Sequence, residues 1–490
     1  MQHEWLVIFL VSVDIQDTNN ADINKRAKEI LTDKFNLEII DRLRGIVVDN
    51  RIKLILINNV KLISEKEIKY NTECFELAKD TLQPFQINLP DAFQLQDKTS
   101  LVFLLKYLQG AFPATRVMIS TYGHGSMFGI FSTRNFKNDG GLTNYVELDI
   151  RDLSYWKTIS PTLLERASFN ADNENIDYLI AARPFSPDKY GYKKWKAMEY
   201  HEIIVEPSAN GRFEKFKTLT NEEFASAISE SFGKIDFLIF NNCVMQNIYA
   251  QHSFYRTVDY LVAPATGIVY PCFNLRGIIG FLMSNQAPAN PAIAKYITDS
   301  FKEGQNPDYE KYKGVIEEFI VVSMRLDLTT EIFTLLKQLK DYLKEALEGP
   351  GKADIACAIS NSLDETYPME YNTFTGETIF DLVQLLESDY LRNYPELQNF
   401  RERFRASVSG NPEFIYSFIG KTAYNAGYKN YYRTKPEIPV SGICVYFPKN
   451  RKQNEVIRPY FNSISYESDL EKGMNWYKDV IMAYLNIMNS

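Results

Sequence analysis

The chain has little cysteine, little histidine and no concentrated charge, and each shortage removes a class of function. Five cysteines, Cys74, Cys243, Cys272, Cys357 and Cys444, are spread over 490 residues without a CxxC pair. An odd number at wide spacing speaks against a disulfide framework and against a zinc site. Four histidines are present, His3, His124, His201 and His252, and no two stand at metal-ligand spacing, so no metal site is expected. No apolar run approaches the roughly 20 residues of a membrane-spanning helix, and a soluble chain is expected. The N-terminal run WLVIFLVSVD lacks a basic flank and a small-residue cleavage site and ends in an aspartate. It therefore reads as a first strand and not as a signal peptide. Lysine plus arginine number 54 and aspartate plus glutamate 62, a net charge of -8 without long single-sign blocks. Nucleic acid is not an expected partner, because phosphate binding needs a concentrated basic surface. No GxSxG elbow occurs, which argues against the common serine-hydrolase turn.

What is present is ample core material: 45% of residues are hydrophobic and 24% charged, the balance of a globular protein. The length allows two or three domains. The most informative stretch is IDFLIFNNCVMQNIY, from Ile235 to Tyr249. Its first six residues are too few and too rich in β-branched and aromatic types for a helix, and the residues after Cys243 can start one. Cys243 is thus placed at the C-terminal edge of a sheet, where open α/β sheets keep their sites. A second apolar run, RVMIST from Arg116 to Thr121, ends in YGHGSMFG with His124. Neighbouring strands would bring Cys243 and His124 together.

The rest of the chain supplies the sheet. Trp5–Val13 and Arg51–Val60 read as parallel strands joined by a helix within Asn20–Leu43, a β-α-β unit with a right-handed crossover. Glu67–Lys79 reads as a hairpin-type excursion, Asp97–Gln109 as a helix, and Thr220–Ser231 as a helix opened by a capping box of Thr220 and Glu223. A helix at Met245–Tyr255, a strand at Tyr260–Ala263 and an amphipathic segment near Leu275–Met283 come next. The span between His124 and Cys243 exceeds what one crossover needs. Its polar, aromatic and lysine-rich stretches, Asn135–Ala171 and Arg183–Lys196, read as a surface insertion at about 131–215, over the functional edge. Beyond residue 300 helical periodicity dominates, at Asp308–Val321, Leu328–Leu347, Thr378–Leu386 and Asp469–Met488, with one strand at Val440–Phe447. The expectation is an α/β catalytic domain over 1–300 and a mostly helical domain over 301–490 that contributes a strand near 440–447.

A thiol attacks as its thiolate, and a free cysteine with a pKa of about 8.5 is mostly protonated at neutral pH. A neighbouring histidine can hold the pair as thiolate and imidazolium and later protonate a leaving amine. Gly125 permits close backbone approach, and its N–H with that of Cys243 would form an oxyanion hole. Taken singly, Cys243 reads more readily as a buried core cysteine and His124 as a satisfied core histidine; together, at two strand ends, they read as a pair. The glycines Gly123, Gly125 and Gly129 superficially suggest a dinucleotide turn, but no helical pattern comes after them.

At these residues the sequence resembles the clostripain-like cysteine peptidases, of the clan that includes caspases and gingipains. The likeness rests on the Trp5 strand, His124-Gly125, the apolar strand into Cys243 with Met245 after it, the Asp259-Tyr260-Leu261-Val262-Ala263 strand, and the late SGICVYFP segment. It implies a caspase-haemoglobinase fold, a mostly parallel sheet flanked by helices. It further implies a Cys-His dyad of His124 and Cys243 cleaving peptide or protein substrates, and a zymogen cut between them. Lys189, Lys193, Lys194 and Lys196 are cut-site candidates, though each reads as well as part of a solvated basic face. Relatives that cleave after arginine or lysine carry an acid two residues before the cysteine; here that position is Asn241. A neutral amide cannot make the charge-assisted bidentate contact that selects arginine. Nor does the loop Ala263–Arg276 contain an acid. Asn241, Ala263, Ala265 and Thr266 are the candidate S1 residues, expected to take a neutral or polar P1 side chain. The alternative is a catalytically inactive peptidase-like binding module. No cofactor is expected; calcium is used by some relatives, but no site for it is readable here. The resemblance leaves the compartment open: extracellular or periplasmic if the chain is a mature form, otherwise cytoplasmic.

Overall fold

The computed structural model describes residues 2–16, 46, 48–63, 68–78, 81–89, 93–123, 125–127, 129–131, 136–137, 141–142, 219–265, 274–300, 318–366, 370–371, 378–409, 415–421, 441–448 and 474–488. The expected helix at Asn20–Leu43, most of the 131–215 insertion with its lysines, His124, Thr266, Cys272 and the 308–317 segment lie outside them.

Strands β1 (His3–Gln16), β2 (Ile52–Ile63), β3 (Ile68–Ala78), β4 (Thr81–Pro84) and β5 (Ala114–Tyr122) come from the first part of the chain, with helix α1 (Lys98–Ala111) ahead of β5. Helix α2 (Asn221–Phe232), strand β6 (Ile235–Asn241), helix α3 (Ile248–Phe254), strand β7 (Val258–Pro264) and helices α4 (Leu275–Ser284) and α5 (Asn290–Asp299) are next. Strand β8 (Glu318–Arg325), helices α6 (Thr329–Glu348), α7 (Lys352–Glu365), α8 (Leu382–Leu386) and α9 (Pro395–Ser409), strand β9 (Ile415–Lys421) and helix α10 (Met482–Met488) complete the order.

Among the described residues the main sheet has nine strands, ordered β9-β8-β7-β6-β5-β1-β2-β3-β4. Its heart, β2-β1-β5-β6-β7, is parallel; β3 and β4 on one side and β8 and β9 on the other run antiparallel. The central strands are apolar on both faces because helices cover both. On one face Leu6, Ile8, Ile119 and Leu238 pack with α1, α2, α3 and the C-terminal helices in a cluster running from Leu6 to Leu485. On the other, Trp5, Val7, Met118 and Phe237 pack with α4 and α5. The local signals act as expected: Asp97 caps α1 through Ser100 N, and Thr220 and Glu223 close the capping box of α2.

Two expectations are corrected. Residues 318–321, read as the end of a helix, belong to β8, because β9 pairs with all of them and β7 joins at Val321. Residues 378–386, read as one helix, begin as the strand Thr378–Asp381 and become helical only at Leu382. That strand pairs with Glu370–Tyr371 and with Cys444–Tyr446 in a small separate sheet. The Cys444–Tyr446 strand lies within the expected Val440–Phe447 and belongs to this small sheet. No described helix is long and apolar enough to cross a membrane.

Candidate active site

The two strands singled out in the sequence are neighbours. Strand β6 pairs in parallel with β5, and their ends fall in register, Phe240 opposite Thr121 and Asn241 opposite Tyr122. Cys243 lies two residues beyond the end of β6 and is partly exposed. Of the four described cysteines, it alone lies just past the C-terminal end of a central strand of the main sheet. Burial pushes the Cys74 thiol up to about 12, with Glu73 adding to it, and raises the fully buried Cys444 thiol as well. Neither is placed to act as a thiolate near neutral pH. Cys357 lies exposed on α7, beside Asn361.

His124 itself is outside the described residues, but its two neighbours are tightly placed. Gly123 has φ 149°, and a Cβ there would lie 2.6 Å from the Ser12 carbonyl oxygen of β1. A Cβ at Gly125 would lie 2.6 Å from Asn242 Cβ, 2.9 Å from Cys243 O and 3.1 Å from Cys243 N. The glycine after His124 therefore rests directly on the backbone of the candidate nucleophile, an approach only hydrogen at Cα allows.

Amide side chains hold this edge together. Asn242, fully buried, accepts from Thr121 Oγ1 and donates through Nδ2 to the Gly123 carbonyl at 3.0 Å. It thereby ties the end of β5, just before position 124, to the loop after β6. Val244, the residue after the cysteine, has φ 62°, a left-handed conformation that a β-branched residue rarely takes. Asn247 donates to the Val244 carbonyl at 2.8 Å and caps α3 through Tyr249 N and Ala250 N. The helix thus starts at Ile248, three residues later than the sequence suggested, and the 243–247 segment is a stapled loop. Asn241, Asn242, Gln246, Asn247 and Gln251 form a run of buried amides in an otherwise apolar segment. That density of amides is visible in the sequence itself.

Of the candidate S1 residues, Thr266 lies outside the described residues, and the other three do not share one face of the sheet. Asn241 is 7% exposed and donates to Ser120 Oγ at 3.3 Å. Strand alternation puts it on the face of Phe237 and Ile239, whereas Ala263 and Ala265, both without exposure, belong to the cluster on the opposite face. Among the described residues no group of histidine, cysteine and acids is placed to hold a metal ion.

No protein-family model and no curated protein matches the chain. Solved structures do. An inactive zymogen of a C11 protease from Parabacteroides distasonis is 16% identical, with 98% of this chain and 99% of that one covered and a TM-score of 0.52. A secreted C11 cysteine protease from Bacteroides thetaiotaomicron, in complex with an irreversible peptide inhibitor, is 11% identical, with 98% and 99% covered and a TM-score of 0.50. At such identities the likeness is one of architecture: over nearly its whole length the chain resembles the clostripain-like C11 cysteine proteases in fold.

Proposed function

We propose that the chain is a cysteine endopeptidase whose dyad is His124 and Cys243. The observation that carries this reading is the seating of Gly125 on the Cys243 backbone at the ends of two adjacent parallel strands. It is supported by the fold shared with C11 proteases, one of them bound to an irreversible peptide inhibitor. In the reaction, His124 takes the Cys243 proton and the thiolate sulfur attacks the scissile carbonyl carbon. The resulting oxyanion is received by the N–H groups of Gly125 and Cys243. One such donor is typically worth about 2.7–4 kcal/mol. His124 then protonates the departing amine as the C–N bond breaks, leaving a thioester. Water, deprotonated by His124, attacks the thioester; the acid leaves and the proton returns to the sulfur.

Asn241 sets the second half of the proposal, an enzyme without a strong Arg or Lys preference at P1. Its amide, occupied with Ser120, offers no charge to a guanidinium. Two measurements test the whole. An acyloxymethyl-ketone peptide probe should label the wild-type chain and not Cys243→Ala; equal labelling of both, or of neither, overturns the dyad. A fluorogenic P1 library should show neutral or polar residues favoured by the wild type and a gain at Arg and Lys in Asn241→Asp. Dominant wild-type cleavage after Arg or Lys would sink the specificity reading.

A further inference from the structure

The late SGICVYFP segment has no part in the reaction described above, yet its second residue, Gly442, reaches the nucleophile loop. Gly442, at φ 75°, presents its N–H to the Asp381 carboxylate at 3.1 Å and its carbonyl to two side chains of the site segment. Gln246 Nε2 donates to that carbonyl at 3.1 Å and Gln251 Nε2 at 2.6 Å. Both glutamines are fully buried. Gln246 is further tied by its backbone N–H to the Pro264 carbonyl at the end of β7. Three residues after Cys243, the loop is therefore held on one side by the sheet and on the other by a single remote carbonyl.

The turn that offers this carbonyl is itself fixed. Asp381, fully buried, takes the Ser441 N–H at 2.8 Å, the Gly442 N–H at 3.1 Å and the Ser441 hydroxyl at 2.9 and 3.0 Å. Its Oδ1 also caps α8 through Val383 N and Gln384 N. A helix cap needs one oxygen; here the second is devoted to the Ser441–Gly442 turn. Strain such as that at Val244 persists only where its surroundings over-determine it. Asn247 and the glutamine anchor are those surroundings.

We propose that Asp381 is a positioning residue for Cys243: it fixes the Ser441–Gly442 turn, whose Gly442 carbonyl anchors Gln246 and Gln251 and so holds the strained loop that presents the thiol. The inference rests on the peptidase reading for its meaning in catalysis, but its geometry can be tested separately. Gln246→Met with Gln251→Met keeps side-chain length, removes both donors and leaves the Asp381 cluster intact. Asp381→Asn tests the turn directly, and Leu363→Ala, in the core of α7, controls for lost stability. For each full-length variant, kcat and KM on a peptide substrate and the rate of Cys243 alkylation by iodoacetamide are measured beside the urea midpoint. The double glutamine variant and Asp381→Asn are expected to lose about tenfold or more in kcat and in alkylation rate, with KM within about twofold, because small misplacements of a reacting group cost that much. Leu363→Ala should keep all three within about twofold. A folded double variant with wild-type kcat and alkylation rate, or an equal loss in Leu363→Ala, overturns the proposal. Iodoacetamide needs no peptide recognition, so a wild-type chain that cleaves no peptide defeats the peptidase reading while the alkylation ratios still decide the positioning role.

Discussion

Replacing Gly125 by alanine probes the closest contact in the site. The new methyl would start 2.6 Å from Asn242 Cβ and 2.9 Å from Cys243 O. Carbon atoms settle at about 3.5–4.0 Å, so the two backbones must part by about 1 Å. Asn242 cannot yield freely, since it is bonded to Thr121 on one side and to Gly123 on the other. Overpacking of this kind costs about 1–3 kcal/mol of stability. The effect on reactivity is larger, because about 1 Å of misplacement between reacting groups costs about a hundredfold in rate. Labelling of Cys243 by a peptide acyloxymethyl ketone, tracked by mass spectrometry over time, should therefore slow by one to two orders of magnitude in Gly125→Ala. The urea midpoint should fall while the chain stays folded. A folded Gly125→Ala protein labelled within about twofold of the wild-type rate would refute the claim that this contact sets the geometry of the site.

The left-handed backbone at Val244 should reverse a familiar order. Val244→Gly relieves about 1–2 kcal/mol of strain that Val244→Ala keeps, so in urea denaturation the glycine variant should equal or exceed the alanine variant, although glycine ordinarily costs more. An alanine variant clearly the more stable would contradict it. Thr220→Ala removes one half of the α2 capping box and should cost about 1 kcal/mol, with Thr220→Ser close to wild type. Asp381 gives a pH dependence. Burial pushes its carboxyl up to about 6, against the pull of donors from Gln384, Ser441 and Gly442. Between 3.8, the ordinary value that the unfolded chain keeps, and about 6, the native state holds a proton that the unfolded chain has released. The stability it contributes is full below that ordinary value and is lost as pH rises through about 6. Urea midpoints across this range should fall with rising pH in the wild type and less steeply in Asp381→Asn; equal slopes would remove the assignment.

Periodicity exposed the parallel heart of the sheet because strands buried on both faces leave uninterrupted apolar runs. WLVIFLV and IDFLIF could pack in few other ways. The cap of α1 and the capping box of α2 were legible for a different reason: their partners lie three residues away. The errors have the opposite cause. Ile379 and Phe380 satisfy helical and strand spacing alike, and what makes them a strand is Val445 and Tyr446, far along the chain. Residues 318–321 become a strand through β9, likewise far along the chain, with β7 joining only at Val321. At the site, the thiol and its strand were readable, as was the glycine beside His124. The second layer was not: a glutamine reads as a surface residue until the structure places Gly442 against it.

That bond also orders events in time. Gln246 and Gly442 are 196 residues apart, Gln251 and Gly442 191. At a synthesis rate of about 5–20 residues per second, roughly 10–40 s separate the making of the thiol-bearing loop from the making of its anchor. Through that interval the nascent chain already carries the cysteine and both strand ends. Val244 has by then the local hold of Asn247 on its left-handed turn but not the remote one. On the positioning proposed for Asp381, a ribosome stalled short of Ser441 would display a thiol of ordinary reactivity. Completion of the tail, well after the sheet's heart has been made, would then be the step that arms it.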